Sequence, residues 1–400
     1  MRSSGLHRAV KAAMWCACIC WAVVTAAEAK PLVSDIRHGV HGDRVRVLID
    51  ITPAPAFAAF TLNNPDRLVL DFPTLDWGLP EGFSTGIPYV EALRYGLFRP
   101  DRARMVMDLT EPVAIQRVFT QSAQGTEPGR LILDIAPTSR EEFDARAGAP
   151  ESARWEGDVP NAPETQPGQI IVAIDPGHGG VDPGASHGRL KEKTIAMAFS
   201  RALAEAVDAR RSMTAYLVRT EDVFVPLAER VARAHRANAH VFLSIHADKT
   251  EEGIAEGMSI YKLSAKGSDR AAERLAEREN RADLLAGADL GGESDTLAKL
   301  VIELAQRGTA DESGKLATSL LDALKSDIKM LRTRPVRQGN FRVLKAPDIP
   351  SLLLEVGFLN SARDRKRLVD PIWRAQAAER IAEGIADWMK IASPGFLAAR

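Results

Sequence analysis

Gln169-Ile170-Ile171-Val172-Ala173-Ile174-Asp175-Pro176-Gly177-His178-Gly179-Gly180 is the stretch on which the architecture of the C-terminal half turns. The continuous apolar run 170–174 is a strand of the kind buried on both faces. The glycines behind it let the backbone turn sharply and let another group come close. His178 therefore stands at the C-terminal end of a buried strand, where open α/β sheets place their ligands. Taken alone, a Gly-rich turn with one His is more often only a turn.

Downstream of this strand, strands and helices alternate. Residues 193–210 carry Ile195, Phe199, Leu203 and Val207 at steps of four, an amphipathic helix. A strand at 215–218, a helix at 227–237 and a strand at 240–245 follow. Beyond a long helical region come a strand at 351–356 and a closing helix at 371–391, with Pro371 in its first turn. Its apolar positions are Ile372, Ile381, Ile385 and Trp388. This order predicts an α/β domain with a mostly parallel sheet flanked by helices.

Upstream the pattern changes. The segments 45–51, 67–72, 104–109 and 130–135 alternate with period two between Asn/Asp/Gly/Pro clusters, which predicts a small all-β sandwich. Asp50, Asp71, Asp108 and Asp134 recur in these strands and read as charges facing water rather than as a catalytic cluster. Residues 137–168, with Pro137, Pro150, Pro160, Pro163 and Pro167 among Ala, Gly, Glu and Arg, read as a linker.

The first residues read as an export signal: Arg2, Arg8 and Lys11, then the apolar run 12–24, then Ala27-Glu28-Ala29 as a cleavage site. That run is shorter than the roughly 20 residues a spanning helix needs. The chain of 400 residues thus divides into a signal at 1–29, a β domain at 30–136, a linker at 137–168, an α/β domain at 169–391 and a tail at 392–400. A net charge of −1 gives no case for nucleic-acid binding. The three cysteines, Cys16, Cys18 and Cys20, all lie in the signal. Any metal in the mature chain must then be held by His, Asp or Glu.

Candidate ligands are at hand. Ser244-Ile245-His246-Ala247-Asp248 ends a second apolar strand, and Glu192 opens the helix after the Gly-rich loop. Glu192 could simply favour the helix N-terminus through its dipole, or equally complete with the two His the three-ligand set of hydrolytic zinc, with the fourth position left for water. Glu355 sits in the apolar strand 351–356. It reads as a general base and acid, or else as the mark of an edge strand or a buried ion pair. Asp182 and His187, in the loop between the first two ligands, could face the metal but are better explained by loop polarity, and His235 and His240 by surface or packing roles. Arg219, Asp222, Arg230 and Asn238 are site-supporting or structural.

Together D-P-G-H-G-G, a Glu opening the next helix, S-I-H-A-D and L-L-E-V-G-F-L-N resemble the zinc-dependent N-acetylmuramoyl-L-alanine amidases, over residues 169–391. The resemblance implies a Zn2+ ion on His178, Glu192 and His246, and Glu355 as the catalytic carboxylate. It implies hydrolysis of the amide between N-acetylmuramic acid and the L-Ala of the stem peptide in peptidoglycan. Residues 31–136 look like the AMIN module, which implies a periplasmic protein directed to cell-wall or septal components. In the division amidases that the chain is similar to, an inserted helix occludes the site. Here 264–314 would be the insertion, with 269–285 as its helix, 287–295 as a mobile loop and Glu279 as the carboxylate on the open zinc position. A LytM-type activator binding that helix would relieve the block. A zinc peptidase acting within the stem peptide, and a non-catalytic wall-binding scaffold, are the rival readings.

Overall fold

The computed structural model describes residues 30–392 apart from 81–82, 84–85, 126, 154–158, 167, 251–254, 288–295 and 347, and at 285 and 296–308 the backbone alone. The expected signal, most of the expected loop at 287–295 and nearly all of the tail lie outside the described residues.

The N-terminal unit contains β1 (Leu32–His41), β2 (Arg44–Thr52), β3 (Ala58–Leu62), β4 (Arg67–Pro73), β5 (Asp76–Trp77), β6 (Val90–Arg99), β7 (Arg102–Leu109), β8 (Val113–Gln121) and β9 (Arg130–Pro137). They form two sheets, ordered β5-β1-β2-β9-β8 and β3-β4-β7-β6. Alternation along β2 sends Val45, Val47, Ile49 and Ile51 inward to meet Leu68, Leu70, Phe72, Met105 and Met107 of the other sheet.

Three of the four strand aspartates do not face water, and the fourth, Asp108, is half-buried and paired with Arg94. Asp50, Asp71 and Asp134 are buried, and each stands opposite an arginine on the neighbouring strand: Arg130, Arg104 and Arg46 respectively. The pairs close at 2.7, 2.6 and 2.7 Å. Opposite charges across a ladder satisfy each other as well as water would. Single-strand alternation gives no sign of such a partner. The helix α1 (Arg140–Arg146) lies within the expected linker, capped by Ser139 and burying Phe143 in the sandwich core. The β unit thus extends beyond 137.

The C-terminal unit contains β10 (Ile170–Pro176), β11 (Ser186–His187), β12 (Leu190–Lys191), α2 (Glu192–Asp208), β13 (Met213–Leu217), α3 (Leu227–Arg236) and β14 (Val241–His246). It continues with β15 (Ser259–Leu263), α4 (Arg270–Asn280), α5 (Ala282–Leu285), α6 (Thr296–Leu324), β16 (Val336–Gly339), β17 (Ser351–Glu355), α7 (Ala362–Val369) and α8 (Pro371–Ile391). The main sheet has the order β13-β10-β14-β17-β15-β16. Its first four strands are parallel, and β15 runs antiparallel to β17. Val172 and Ile174 of β10 pack with α2, α6 and α8, while Ile171 and Ala173 pack with α3 and α4. Two covered faces explain the unbroken apolar run.

Three details depart from the sequence reading. The helix expected at 269–285 breaks at Arg281 into α4 and α5. Helix α6 runs ten residues past 314, the expected end of the inserted region, and beyond that point Leu316, Leu320 and Leu324 belong to the main core. Ile372 is 68% exposed, and Trp373 next to it packs on Phe199 instead.

The geometry that matters for chemistry follows from the register. Pro176 pairs with Ile245 and His246 with Glu355, so β10, β14 and β17 end side by side at one edge.

Candidate metal centre

His178 leaves β10 with a left-handed backbone, φ 56°, a conformation costly for a residue with a Cβ and kept only when its surroundings enforce it. Two buried guanidinium groups do so. Arg230 donates to the carbonyls of Pro176 and His178 at 2.9 and 2.8 Å, and Arg219 to those of Pro176 and Gly177 at 2.9 and 3.0 Å. Gly177 is required by close approach, since a Cβ there would lie 2.6 Å from the His246 ring.

Each imidazole is oriented by its far nitrogen. His178 Nδ1 lies 2.8 Å from the Asp182 carboxylate, which leaves Nε2 aimed inward. His246 Nε2 lies 3.2 Å from Ser244 Oγ, which donates to Asp175 at 2.8 Å, and Asp175 is in turn paired with Arg230. Such outer partners fix the ring orientation of metal-binding histidines. Glu192, the first residue of α2, accepts from the backbone N–H groups of Ala185 and Ala247 at 2.8 and 2.9 Å.

Glu279, from α4, completes the cluster. Glu192 lies 3.2 Å from His178 Nε2 and 3.1 Å from His246 Nδ1, and Glu279 lies 3.5 and 3.1 Å from the same two atoms. One donor atom from each of the four residues falls within 4.8 Å of the others. A tetrahedron built on bonds of about 2.0–2.1 Å to zinc has edges of roughly 3.3 Å, so the spacing suits that ion. His178 Nε2 is buried and has no hydrogen-bond partner, the signature of a nitrogen shaped for something else.

The electrostatics agree. Burial opposes a charge on His178, yet Asp182, Glu192 and Glu279 outweigh it and hold the pKa well above the imidazole range. Burial likewise opposes ionisation of Glu192 but is overcome by the two imidazoles, which bring its pKa well below the carboxylate range. Glu279 is pushed up to about 7 by burial, against the pull of His246 and His178. The buried imidazoles and carboxylates are thus strongly coupled to one another across the cluster.

Glu355 ends β17, which is an internal strand and not an edge. Its Oε2 accepts from the Asp248 N–H at 3.0 Å, and its Oε1 has no partner. Burial, with Glu192, Asp248 and Glu279 nearby, drives its pKa well above the carboxylate range. The space over the histidines is only about 10 Å³, closed on one side by Glu279, Asn280 and Ala282. That is about the room of one water and of no substrate.

The structure thus brings His178, Glu192, His246 and Glu279 together, with Glu355 on the next strand. Asp182 is corrected: it is buried against His178, not a loop charge in water. Its place four residues after His178 in a Gly-rich turn was the available signal. His187 is exposed, His235 pairs with Asp348 at 3.2 Å, and His240 Nδ1 accepts from the Ile171 N–H. Asp222 accepts from the Gly180 N–H and from Lys193, while Asn238 takes a left-handed turn after α3. Sequence reasoning missed the docking contacts of the insertion. Arg278 pairs with Asp248, Asn280 donates to the Asn340 carbonyl at 2.7 Å, and Asp283 accepts from the Leu227 N–H at 2.8 Å.

If Asp182 orients His178 for a metal, Asp182→Asn should weaken metal affinity about 10–100-fold, the usual cost of losing such an outer partner. Competition with a chromogenic chelator measures it, and unchanged affinity would leave Asp182 a purely structural residue.

The family model described as N-acetylmuramoyl-L-alanine amidase matches residues 172–387, and that of the AMIN domain matches residues 35–135. The N-acetylmuramoyl-L-alanine amidase AmiC of Neisseria meningitidis serogroup B is 32% identical over 360 residues, covering 85% of this chain and 86% of its own. AmiC of Escherichia coli O6:H1 is 31% identical over 358 residues, covering 85% of each. Among solved structures, the amidase AmiC2 of Nostoc punctiforme is 25% identical, with a TM-score of 0.39 over 55% of this chain and 97% of that one.

Proposed function

From the premise that this chain belongs to the N-acetylmuramoyl-L-alanine amidase family, with an AMIN domain ahead of its catalytic domain, we propose that it is a zinc-dependent peptidoglycan amidase held shut by its own inserted helix. The observation that carries this reading is the convergence of His178 Nε2, His246 Nδ1 and the carboxylates of Glu192 and Glu279 on one buried point. His178, Glu192 and His246 would hold the ion. Glu279, borne on the insertion, would occupy the position that substrate and water need.

A zinc ion so held supplies Lewis acidity to the scissile carbonyl and acidifies the attacking water. Glu355 takes a proton from that water as its oxygen bonds to the carbonyl carbon of the lactyl group of N-acetylmuramic acid. The C–N bond then breaks, and Glu355 returns the proton to the departing amine of L-Ala. The products are the lactyl carboxylate and a stem peptide with a free amino terminus. Asp175, Ser244 and Asp182 keep the two imidazoles in register throughout.

Where it works is part of the same proposal: the periplasm, after cleavage of the signal, at the division septum. The AMIN domain would engage cell-wall or septal components. No helix among the described residues is long and apolar enough to cross a membrane. A LytM-type partner would draw the inserted helix away from the site and start hydrolysis.

The direct test is digestion of purified sacculi with analysis of product masses. Intact stem peptides beginning at L-Ala, with glycan strands left whole, are expected. Cuts within the stem peptide would indicate a peptidase, and pelleting without soluble product, even with activator, a scaffold. For the block itself, Glu279→Ala should raise the basal rate of release of dye-labelled peptidoglycan about tenfold or more, the change expected when a state favoured by a kcal/mol or two is removed. An unchanged rate would refute the inhibitory role.

A further inference from the structure

One face of the N-terminal sheet β3-β4-β7-β6 looks into the sandwich core, and the other is also apolar. Phe60, Leu62, Val69, Phe98 and Val106 project from it and pack against Val181, Phe224 and Ala286 of the C-terminal unit. The rings of Phe98 and Phe224 stack at 5.7 Å. This face reaches two places that matter for activity.

The first is the loop that carries His178. The Leu97 carbonyl of β6 accepts from the N–H groups of Val181 and Phe224 at 3.1 and 3.3 Å. Contact is backbone to backbone, for a Cβ at Gly96 would lie 2.5 Å from the Gly180 carbonyl oxygen.

The second is the end of the inserted segment. Leu284 and Gly287 present carbonyls at the C-terminal end of α5, that of Leu284 also accepting from the Gly287 N–H at 3.0 Å. Arg67 of β4 donates to the Leu284 carbonyl, and Arg104 of β7 donates to that of Gly287 at 2.6 Å. Arg104 is wholly buried, held by Asp71 at 2.6 and 2.8 Å, and lies 3.4 Å from the Phe98 ring centroid. Because Asp71 neutralises Arg104 on its own, breaking the bond to Gly287 strands no buried charge. Such a contact can open and close.

We propose that the N-terminal β domain is an intramolecular latch, with Arg67 and Arg104 as positioning residues that hold the α4–α5 segment, and with it Glu279, over the metal site. The inference rests on the reading of Glu279 as the inhibitory carboxylate. Release of the segment and undocking of the β domain are then one coupled event. A component that binds this sheet face in place of the C-terminal unit favours the open enzyme by linkage.

The test uses the full mature chain. Gly96→Leu wedges the two units apart without touching a metal ligand, and Arg67→Ala removes one tether. Circular dichroism and zinc content check the fold of each. Both variants should raise basal release of labelled peptidoglycan about tenfold and speed amide exchange across residues 276–287, with zinc retained. Wild-type rates in both, while Glu279→Ala is activated, would overturn the latch and leave the block standing. A wild-type rate in Glu279→Ala as well would remove the block and the latch together. Lower activity with loss of zinc would overturn the latch too, making the β domain a mere support of the His178 loop. Should Gly96→Leu fail to fold, Arg67→Ala with the exchange measurement decides.

Discussion

Glu355→Gln is expected to lower amidase turnover by about 10²–10⁴-fold, the range that a positioned general base and acid contributes, while the protein keeps its zinc. The carboxylate ends an internal strand, directly beside His246 in the register of the sheet. One oxygen is tied to the Asp248 N–H, and the other is buried without a partner. Burial and the neighbouring carboxylates raise its pKa well above the carboxylate range, which makes it a stronger base toward water than a free carboxylate. Gln keeps the shape and can still accept from Asp248, but it cannot carry a proton. Stem-peptide release and zinc content are measured on the same preparation. Substantial activity in the variant would remove Glu355 from the chemistry, and loss of zinc would make it a metal-site residue instead.

His246→Ala should have an effect at least as large, through the metal itself. The ring supplies one of the two nitrogens in the cluster and faces both Glu192 and Glu279. Without it the buried carboxylates lose their nearest counter-charge, so the variant should lose zinc, lose activity and be less stable. Thermal melting gives a reading independent of catalysis. An ion that binds only the folded chain stabilises it by about 4 kcal/mol at a thousandfold excess over Kd, and the variant should show little of that shift. Stoichiometric zinc with an unchanged melting shift in His246→Ala would rule out this ligand set.

The two variants separate what the site requires. The first keeps the ion and removes the proton carrier, whereas the second removes the ion. Glu279→Ala moves in the opposite direction from both, which keeps the inhibitory proposal distinct from general damage to the site. The domain latch adds a further layer, because its variants lie outside the metal cluster and should still act on Glu279.

Much of the site was legible along the chain because its parts are local. An apolar run followed by glycines and a histidine marks a strand end, and in a parallel sheet strand ends of the same sense share an edge. Hence the segments around His178, His246 and Glu355 could be expected to share one edge before any coordinates placed them there. Glu192 was legible as the first residue of a helix whose apolar positions recur at steps of four. The absence of cysteine beyond residue 20 further narrowed the ligands to His and carboxylate.

Pairing across the molecule was not legible, because alternation reports that a face is covered and not what covers it. The aspartates of the sandwich look alike whether they meet water or an arginine on the next strand, and only the register places Asp71 opposite Arg104. Asp182 looks like any loop carboxylate until the turn at His178 folds it onto the ring. The amphipathic pattern of α4 is compatible with a solvated helix; its position over the histidines depends on Arg278, Asn280 and Asp283 finding partners far away in sequence. Likewise, Val69 and Val106 read as one more alternating position. Their burial against the C-terminal unit comes from the packing of two distinct units on each other. The proposed metal site was therefore legible in local sequence, since His178, Glu192 and His246 each sit at the end of a locally determined element. Whether that site stands open or closed was decided by the tertiary structure, because closure depends on contacts between elements that no local pattern links.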